Sequence, residues 1–232
     1  MSHPLLAQLR SPEPAARAGA CREALRDPSG ALLAEALVEA LADSEKAVAR
    51  AAADSLVALA RASSGVLPLL RKALRAGPRS ARIHAAFALA RLEPPEPALL
   101  PALVEALAAP DGDVRWSAAR ILVDMGRLHG EVLGVLLGLA AAAERPPVRR
   151  MASFALRTLA PDRPEAARVL LAATRDADGS VRRAAVTALA GLLDPPPEVA
   201  ARLGELRADR DPALARLAEL ALGELERAEG RR

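Results

Sequence analysis

Apolar residues recur along the chain in short clusters with helical spacing, and the clusters themselves recur about every 33 residues. The segment Val181–Leu189 shows the pattern, with apolar residues at its first position, at +3 and +4, and at +7 and +8. This spacing places them on one face of an α-helix. Seven copies of the pattern are recognised, and their first positions are Arg17, Val48, Ala81, Val114, Val148, Val181 and Leu214.

Two positions of the pattern are constant in kind through all seven copies. Position +8 is always leucine, and position +4 is always small. The small residues are Cys21, Ala52, Ala85, Ala118, Ala152, Ala185 and Ala218, and the leucines are Leu25, Leu56, Leu89, Leu122, Leu156, Leu189 and Leu222. Small residues at a fixed position allow close approach of neighbouring helices, so the pattern predicts stacked helices.

A second helical pattern precedes each of these helices. Its hexapeptide Ala36–Leu41 is repeated without change at Ala102–Leu107, two repeat lengths later, which indicates internal duplication. Turns rich in Pro, Gly and Asp, such as Asp27–Gly30, separate the helices. Each repeat is therefore predicted to consist of a helix A, a turn and a helix B, with Ser44, Asp113, Ser180 and Asp211 as candidate caps of the B helices.

One such helix pair cannot bury its apolar faces alone, and stacking the pairs creates a continuous core. We therefore expect an all-α fold, a right-handed α-solenoid of about seven helix pairs that forms a single domain over residues 1–232. The expected repeats span residues 4–27, 28–61, 62–92, 93–127, 128–160, 161–193 and 194–228.

The segment Asp178–Leu189, which reads Asp-x-x-Val-Arg-x-Ala-Ala-x-x-Ala-Leu, resembles the short bacterial HEAT repeat, also called the phycobilisome-lyase-type HEAT-like repeat. The resemblance extends over about residues 4–228. It implies that the A helices line a convex side and the B helices a concave side. It also implies a ladder of Asp–Arg hydrogen bonds between repeats, with Asp43, Asp111, Asp178 and Asp211 facing Arg82, Arg115, Arg149 and Arg182. Gly77, Ala49 and Ala215 depart from the pattern, so the ladder should be interrupted there.

Composition narrows the classes of function. The net charge is only +3, because arginines and acidic residues nearly balance, whereas nucleic-acid binders usually carry a marked local excess of positive charge. A single cysteine excludes an internal disulfide. The longest apolar run, between Glu131 and Glu144, is too short to cross a bilayer, and the N-terminus has no secretory pattern. These features predict a soluble, cytoplasmic protein without membrane insertion.

No set of residues predicts catalysis, a metal or a cofactor. Of the three histidines, His84 lies at position +3 of a B helix and is expected to be partly buried, while His3 and His129 lie in terminal or loop sequence. Cys21 occupies a small core position and is expected to be a buried thiol. Among HEAT-like enzymes, deoxyhypusine hydroxylase is excluded because the chain contains no His-Glu dipeptide. Phycobilin lyases and alkylpurine DNA glycosylases stay open as enzymatic alternatives.

The candidate binding site is predicted from those positions of the B helices that the stacking of the repeats does not require. Positions +2 and +6 of the B helices lie on or beside the exposed ridge, and they carry all three aromatic residues of the chain together with several arginines. Aromatic residues and arginine are enriched at binding hot spots. We therefore expect a partner protein segment with acidic and apolar residues to bind along Phe87, Trp116, Arg120, Arg150, Phe154 and Arg183.

Three other interpretations of this ridge stay open. Phe87 and Phe154 would have a purely structural role if they fill gaps between adjacent B helices. The arginines would bind a nucleic-acid backbone if their charge is unpaired, in which case binding would weaken steeply with salt. A structural spacer in a larger assembly would use the end repeats or the convex face instead.

Overall fold

The computed structural model of the chain describes residues 3–27 and 30–229, except for the side chains of residues 30, 31, 228 and 229. Part of the predicted turn at Asp27–Gly30, and the predicted repeat boundary at residue 28, lie outside the described residues. Within these ranges all regular structure is helical, with fourteen α-helices and two short 3-10 helices at Gly30–Leu33 and Pro97–Leu99. The expected all-α fold with seven helix pairs is confirmed.

The helices alternate along the chain as expected. The A helices are α1 (Pro4–Leu9), α3 (Ala34–Ala40), α5 (Val66–Ala76), α7 (Leu100–Ala106), α9 (Glu131–Ala142), α11 (Pro164–Ala173) and α13 (Pro197–Leu206). The B helices are α2 (Pro14–Glu23), α4 (Lys46–Ala62), α6 (Arg79–Ala90), α8 (Gly112–Leu128), α10 (Pro146–Leu159), α12 (Gly179–Leu189) and α14 (Pro212–Glu229).

The chain comprises two compact units, an N-terminal unit (Met1–Ala106) and a C-terminal unit (Leu107–Arg232). In the N-terminal unit, α2, α4 and α6 pack in series as a layer of B helices, against a layer formed by α1, α3 and α5. In the C-terminal unit, α8, α10, α12 and α14 form the B layer and α9, α11 and α13 the A layer. Each unit is thus a stack of helix pairs, while the single domain over residues 1–232 stays a prediction.

Leucine and alanine fill the space between the two layers. The leucines at position +8 of α4, α6, α8, α10 and α12 are at most 4% exposed, and the alanines at position +4 of the same helices are fully buried. The small side chains bring adjacent B helices close together. At the first of these contacts the buried Ser55 hydroxyl donates to the carbonyl oxygen of Cys21, 2.7 Å away. The Ser55 hydroxyl therefore has a hydrogen-bond partner despite full burial.

The register expected for the first repeat is wrong by one residue. Leu25, expected in the core, is 42% exposed, whereas Ala24 is fully buried. The reason is that α2 ends at Glu23, so Leu25 lies in the turn that follows the helix. The first copy of the pattern therefore begins at Ala16, and Arg17 takes the position that Arg149 holds in α10.

The ladder between repeats exists and includes the expected Asp43, but Arg17 pairs with it, and the other acids are Asp176 and Glu105. Arg17 donates to both carboxylate oxygens of Asp43 at 2.7 and 3.0 Å, and Arg149 donates likewise to Asp176 at 2.6 and 2.8 Å. The hydrogen bonds from these arginine side chains hold the pKa of Asp43 and of Asp176 below the usual carboxyl range. Arg82 uses yet another acid, Glu105, at 2.7 Å.

Asp111, Asp178 and Asp211 cap their own helices instead of joining the ladder through the expected arginines. The Oδ1 atom of each accepts the backbone N–H groups two and three residues later, at 2.7 to 3.3 Å. The cap at Asp211 is confirmed, whereas the caps expected at Asp113 and Ser180 are wrong, because α8 and α12 begin at Gly112 and Gly179 and both residues lie within the first helical turn. The cap expected at Ser44 is also wrong, since Glu45 precedes α4 without a side-chain cap.

A second contact of the ladder arginines stays within one repeat. Arg115 donates Nη1–H to the carbonyl oxygens of Ala109 and Pro110 at 2.6 and 2.7 Å, and Arg17, Arg149 and Arg182 hold the equivalent two carbonyls of their own turns. The Nε atom of Arg115, however, is shielded from solvent and has no acceptor among the described residues. The position of the ladder acid in the next turn is occupied by Ala143. The ladder is therefore interrupted between α8 and α10, where the sequence pattern did not indicate a break.

Candidate functional site

Trp116 and Phe154 form a pair on the B helices at the start of the C-terminal unit. Trp116 lies in the second turn of α8 and is 51% exposed, and Phe154 lies half-buried in α10. Their ring centroids are 5.0 Å apart, with the planes tilted by 38°. Phe154 fills the gap between the two helices, as one interpretation of the sequence expected, and at the same time supports the exposed Trp116 ring.

Two arginines complete a four-residue group that we call the aromatic–arginine array (Trp116, Arg120, Arg150 and Phe154). Trp116 and Arg150 occupy position +2 of their helices, and Arg120 and Phe154 occupy position +6. Because Trp116 contacts Phe154 across the diagonal of this array, the two arginines stand at the opposite corners. Each arginine therefore flanks the aromatic pair from a different helix.

The charges of the array are largely unneutralised. Arg120 is exposed and forms no ion pair with another described residue. The Nε atom of Arg150 is shielded from solvent and lacks a hydrogen-bond acceptor within residues 3–27 and 30–229. Arg183, the next candidate along the ridge, differs, because its Nη1 atom lies 2.7 Å from Oδ2 of Asp211. Arg183 is thus already paired with the residue that precedes α14.

The carboxylate that engages Arg183 is itself held as an anion. Partial burial acts to raise the pKa of Asp211, but hydrogen bonds from the backbone N–H groups of Leu214 and Ala213, and from Arg183, lower it overall. Asp211 therefore keeps its negative charge at neutral pH and continues to neutralise Arg183.

A groove of about 200 Å³ lies beside the aromatic pair between α8 and α10. Its floor consists of the buried side chains of Ala119, Val123 and Ala155. The far end carries Thr158 and an ion pair in which Nη1 of Arg127 lies 2.9 Å from Oδ1 of Asp124. Sequence reasoning missed Asp124, Arg127 and Thr158; continuing the exposed face of each B helix by one and two further turns would have found them.

The remaining candidate, Phe87, lies in the N-terminal unit, on α6. It is half-buried, and the His84 ring contacts it edge-on at 6.4 Å between centroids. His84 Nδ1 lies 3.0 Å from the carbonyl oxygen of Leu41, which confirms the expected partly buried histidine. Ile83, expected to be exposed at position +2, is only 6% exposed, so the ridge of α6 is not the open surface that the pattern indicated.

Other groups that could support chemistry are accounted for by the fold. Cys21 is fully buried, and burial raises the pKa of its thiol to about 11. Among residues 3–27 and 30–229, no cluster of three or more His, Cys, Asp or Glu side chains has the arrangement of a metal site. In the same ranges, no helix combines the length and apolar character that a membrane span requires.

Comparisons with known proteins agree with this architecture. A family model described as HEAT repeats matches residues 67–157, which run from α5 into α10 and include Phe87 and the aromatic–arginine array. The archaeal HEAT-like repeats protein from Thermococcus onnurineus NA1 matches with a TM-score of 0.54 and 15% identity, over 97% of this chain and 96% of its own. This likeness shows a HEAT-like fold of stacked helix pairs.

Two further solved structures are similar at lower TM-scores. The complex of CpcE and CpcF of phycocyanin lyase from Nostoc sp. PCC7120 has a TM-score of 0.46 and 26% identity, over 68% of this chain and 99% of that one. An engineered protein has a TM-score of 0.47 and 22% identity, over 95% of this chain and 67% of that one. No curated protein matches the chain in sequence.

Proposed function

We propose that this chain is a non-enzymatic binding protein that holds a segment of a partner protein on the B helices of its C-terminal unit. The observation that carries the proposal is the exposed Trp116 ring, supported from below by Phe154 and flanked by the unpaired Arg120. A tryptophan that is half exposed beside a groove offers a large apolar surface with a nearby charge. This is the composition of binding hot spots.

The alternative that the aromatic pair is only structural accounts for Phe154 but not for Trp116. Phe154 is half-buried between α8 and α10 and fills space there. Trp116 leaves half of its surface in water, although arginine occupies the same position in α4, α10, α12 and α14. The repeat therefore does not need a large ring at this position, and we assign the ring to a partner.

The other members of the site contribute unequally to the proposal. Arg120 and Arg150 supply the charge, whereas Arg183 would first have to give up its ion pair with Asp211. Phe87 belongs to the N-terminal unit and stays a sequence-based prediction. We further propose that the repeats are of the short bacterial HEAT-like type, on the sequence of Asp178–Leu189.

Binding to a nucleic-acid backbone is the second candidate function. It is favoured by arginines of the same face that form no ion pair among the described residues, such as Arg120, Arg150, Arg157 and Arg216. Against it, the ion pairs Arg127–Asp124 and Arg183–Asp211 neutralise the positions between them. Uncharged Phe154 and Leu220 also interrupt the basic positions, so this face is not a continuous track for phosphates.

Affinity capture from lysate of the source organism tests the proposal. Three baits are compared: the unchanged chain, Trp116→Ala/Arg150→Glu, and Lys72→Glu/Arg168→Glu as a control with exposed cations on the A helices. We expect proteins that are retained by the first and third baits, lost with the second, and indifferent to nuclease. Equal capture by all three baits, with equal helicity by circular dichroism, would refute a site at Trp116. Loss of the captured material on nuclease treatment would favour the nucleic-acid function.

A further inference from the structure

The geometry of the aromatic–arginine array limits what kind of segment can occupy it. Positions +2 and +6 of one helix are one turn apart, about 6 Å along its axis, and the axes of packed helices are roughly 8–10 Å apart. The attachment points of Arg120 and Arg150 at opposite corners are therefore separated by about 10–12 Å, with the aromatic pair between them. A ligand that contacts both arginines must cross Trp116 and Phe154.

The groove next to the aromatic pair suits a single bulky side chain. Its volume is about 200 Å³, whereas pockets for drug-sized ligands measure roughly 300–1,000 Å³. Ala119, Val123 and Ala155 give it an apolar floor, and Trp116 and Phe154 give it an apolar wall. A leucine, methionine or phenylalanine side chain would bury its apolar surface there without displacing a charge.

The charges around the groove favour acidic neighbours of that side chain. At the far end, Arg127 is paired with Asp124, whereas Arg120, which lines the groove, and Arg150, at the opposite corner of the array, form no ion pair among the described residues. Charged groups across an interface are arranged so that their potentials are complementary. Carboxylates on both sides of the apolar side chain would meet this condition and would offer acceptors to the two guanidinium groups.

An extended peptide presents these groups at a fixed spacing. Alternate side chains of an extended strand point to the same side, and residues four apart are separated by about 13 Å. Arginine side chains are long enough to absorb the small difference from the 10–12 Å separation of their attachment points. We infer that the array recognises an extended segment with the pattern acid–any–bulky apolar–any–acid. This inference rests on the proposed function, because it assigns the chemistry of the partner to the same face.

Selection from a display library of random decapeptides tests the pattern without presupposing it. The unchanged full-length chain is the bait, and Trp116→Ala and Arg120→Glu/Arg150→Glu serve as separate counter-baits. Lys72→Glu/Arg168→Glu is the control, since it removes the same charge from exposed positions on α5 and α11. We expect enriched peptides to carry one bulky apolar residue with an acid two positions before it and another two positions after it.

The enriched peptide is then synthesised, and its binding is measured by the fluorescence of Trp116, the only tryptophan of the chain. Replacing either acid by its amide should weaken binding about tenfold, as expected for the loss of a charge-assisted hydrogen bond. Replacing the apolar residue by alanine should weaken binding at least as much. The control bait should bind the peptide as the unchanged chain does.

The outcomes separate the two proposals. Peptides that require Trp116 but lack the pattern would overturn the inference and leave the proposed function standing. A library from which no peptide is enriched on the unchanged chain relative to both counter-baits would overturn the proposed function as well. Binding of a single-stranded oligonucleotide that weakens steeply with salt and displaces the peptide would replace both with the nucleic-acid function.

Discussion

Replacing Ala143 with aspartate should restore the acid that the ladder lacks between α8 and α10. Asp43 and Asp176 hold the equivalent position in their turns, and each accepts an arginine side chain from the preceding repeat and the backbone N–H two residues later. In the variant, the new carboxylate should accept the Nε–H group of Arg115, which now has no acceptor among the described residues, and the N–H of Arg145.

The expected gain follows from the exposure of the intact pair. The side chains of Arg149 and Asp176 are 15% and 11% exposed, so this pair lies between a surface ion pair and a buried one. Surface pairs contribute up to about 1 kcal/mol, and hydrogen bonds to charged groups about 1.5–3 kcal/mol. Solvent screening favours the lower end, so we expect Ala143→Asp to raise the free energy of unfolding by about 1 kcal/mol. For a chain of this length, that corresponds to about 2–4 °C in Tm.

Thermal unfolding followed by circular dichroism, arranged as a double-mutant cycle, isolates the contribution of Arg115. An aspartate before α10 also interacts with the positive end of that helix, whichever residue occupies position 115. The cycle therefore compares Ala143→Asp in the unchanged chain and in Arg115→Met, with Ala143→Asn as the uncharged control. A gain that is equal in both backgrounds would show that no new pair with Arg115 forms. A loss of stability in the unchanged chain would refute the assignment of Ala143 to the acid position.

Three further predictions follow from other parts of the structure. Because the hydrogen bond from Arg149 lowers the pKa of Asp176, the pair stabilises the fold above the ordinary carboxyl pKa of about 3.9 and loses this effect as the pH falls through the lowered value. Asp176→Asn should therefore lower the urea midpoint at neutral pH and make little difference in strong acid; an equal loss at both would contradict the linkage. Gly134 lies inside α9 and a Cβ there meets no atom within 4 Å, so Gly134→Ala should stabilise the fold by about 0.5–1 kcal/mol in urea unfolding, and a loss would show an unseen clash. Trp116 and Ile83 share position +2 but differ in burial, so Ile83→Ala should cost about 2–4 kcal/mol and Trp116→Ala about 1 kcal/mol or less, and equal losses would refute the exposed placement of the ring.

The repeat itself is predictable from the sequence because each copy meets the same packing problem. Position +8 must fill the space between the two helix layers, and position +4 must allow a neighbouring helix to approach. Leucine and small residues therefore occupy these positions whichever partner protein the chain binds. Errors arise where two residues satisfy the pattern equally well. Ala24 and Leu25 both suit an apolar position, and only the end of α2 at Glu23 decides between them.

The candidate site was predictable only in part, because a helical wheel treats every copy alike. It placed Trp116 on an exposed face correctly, but it placed Ile83 there as well, although α6 buries that position. Pairing between helices is also invisible to a single-helix pattern. Nothing in the sequence around Arg183 indicates that Asp211, 28 residues later, engages it while Arg120 has no comparable partner.

The arginine contacts with the turns have a consequence for how such a chain changes length. Arg17, Arg115, Arg149 and Arg182 each hold two carbonyl groups of a turn in their own repeat, so in these four repeats the contact that supports the turn is encoded within the repeat itself. A gene can therefore gain or lose one of these four repeats without leaving its turn unsupported. A chain that lacks residues 161–193 is expected to retain its helicity and unfold cooperatively on heating, and a molten product would show that the repeats are not interchangeable modules.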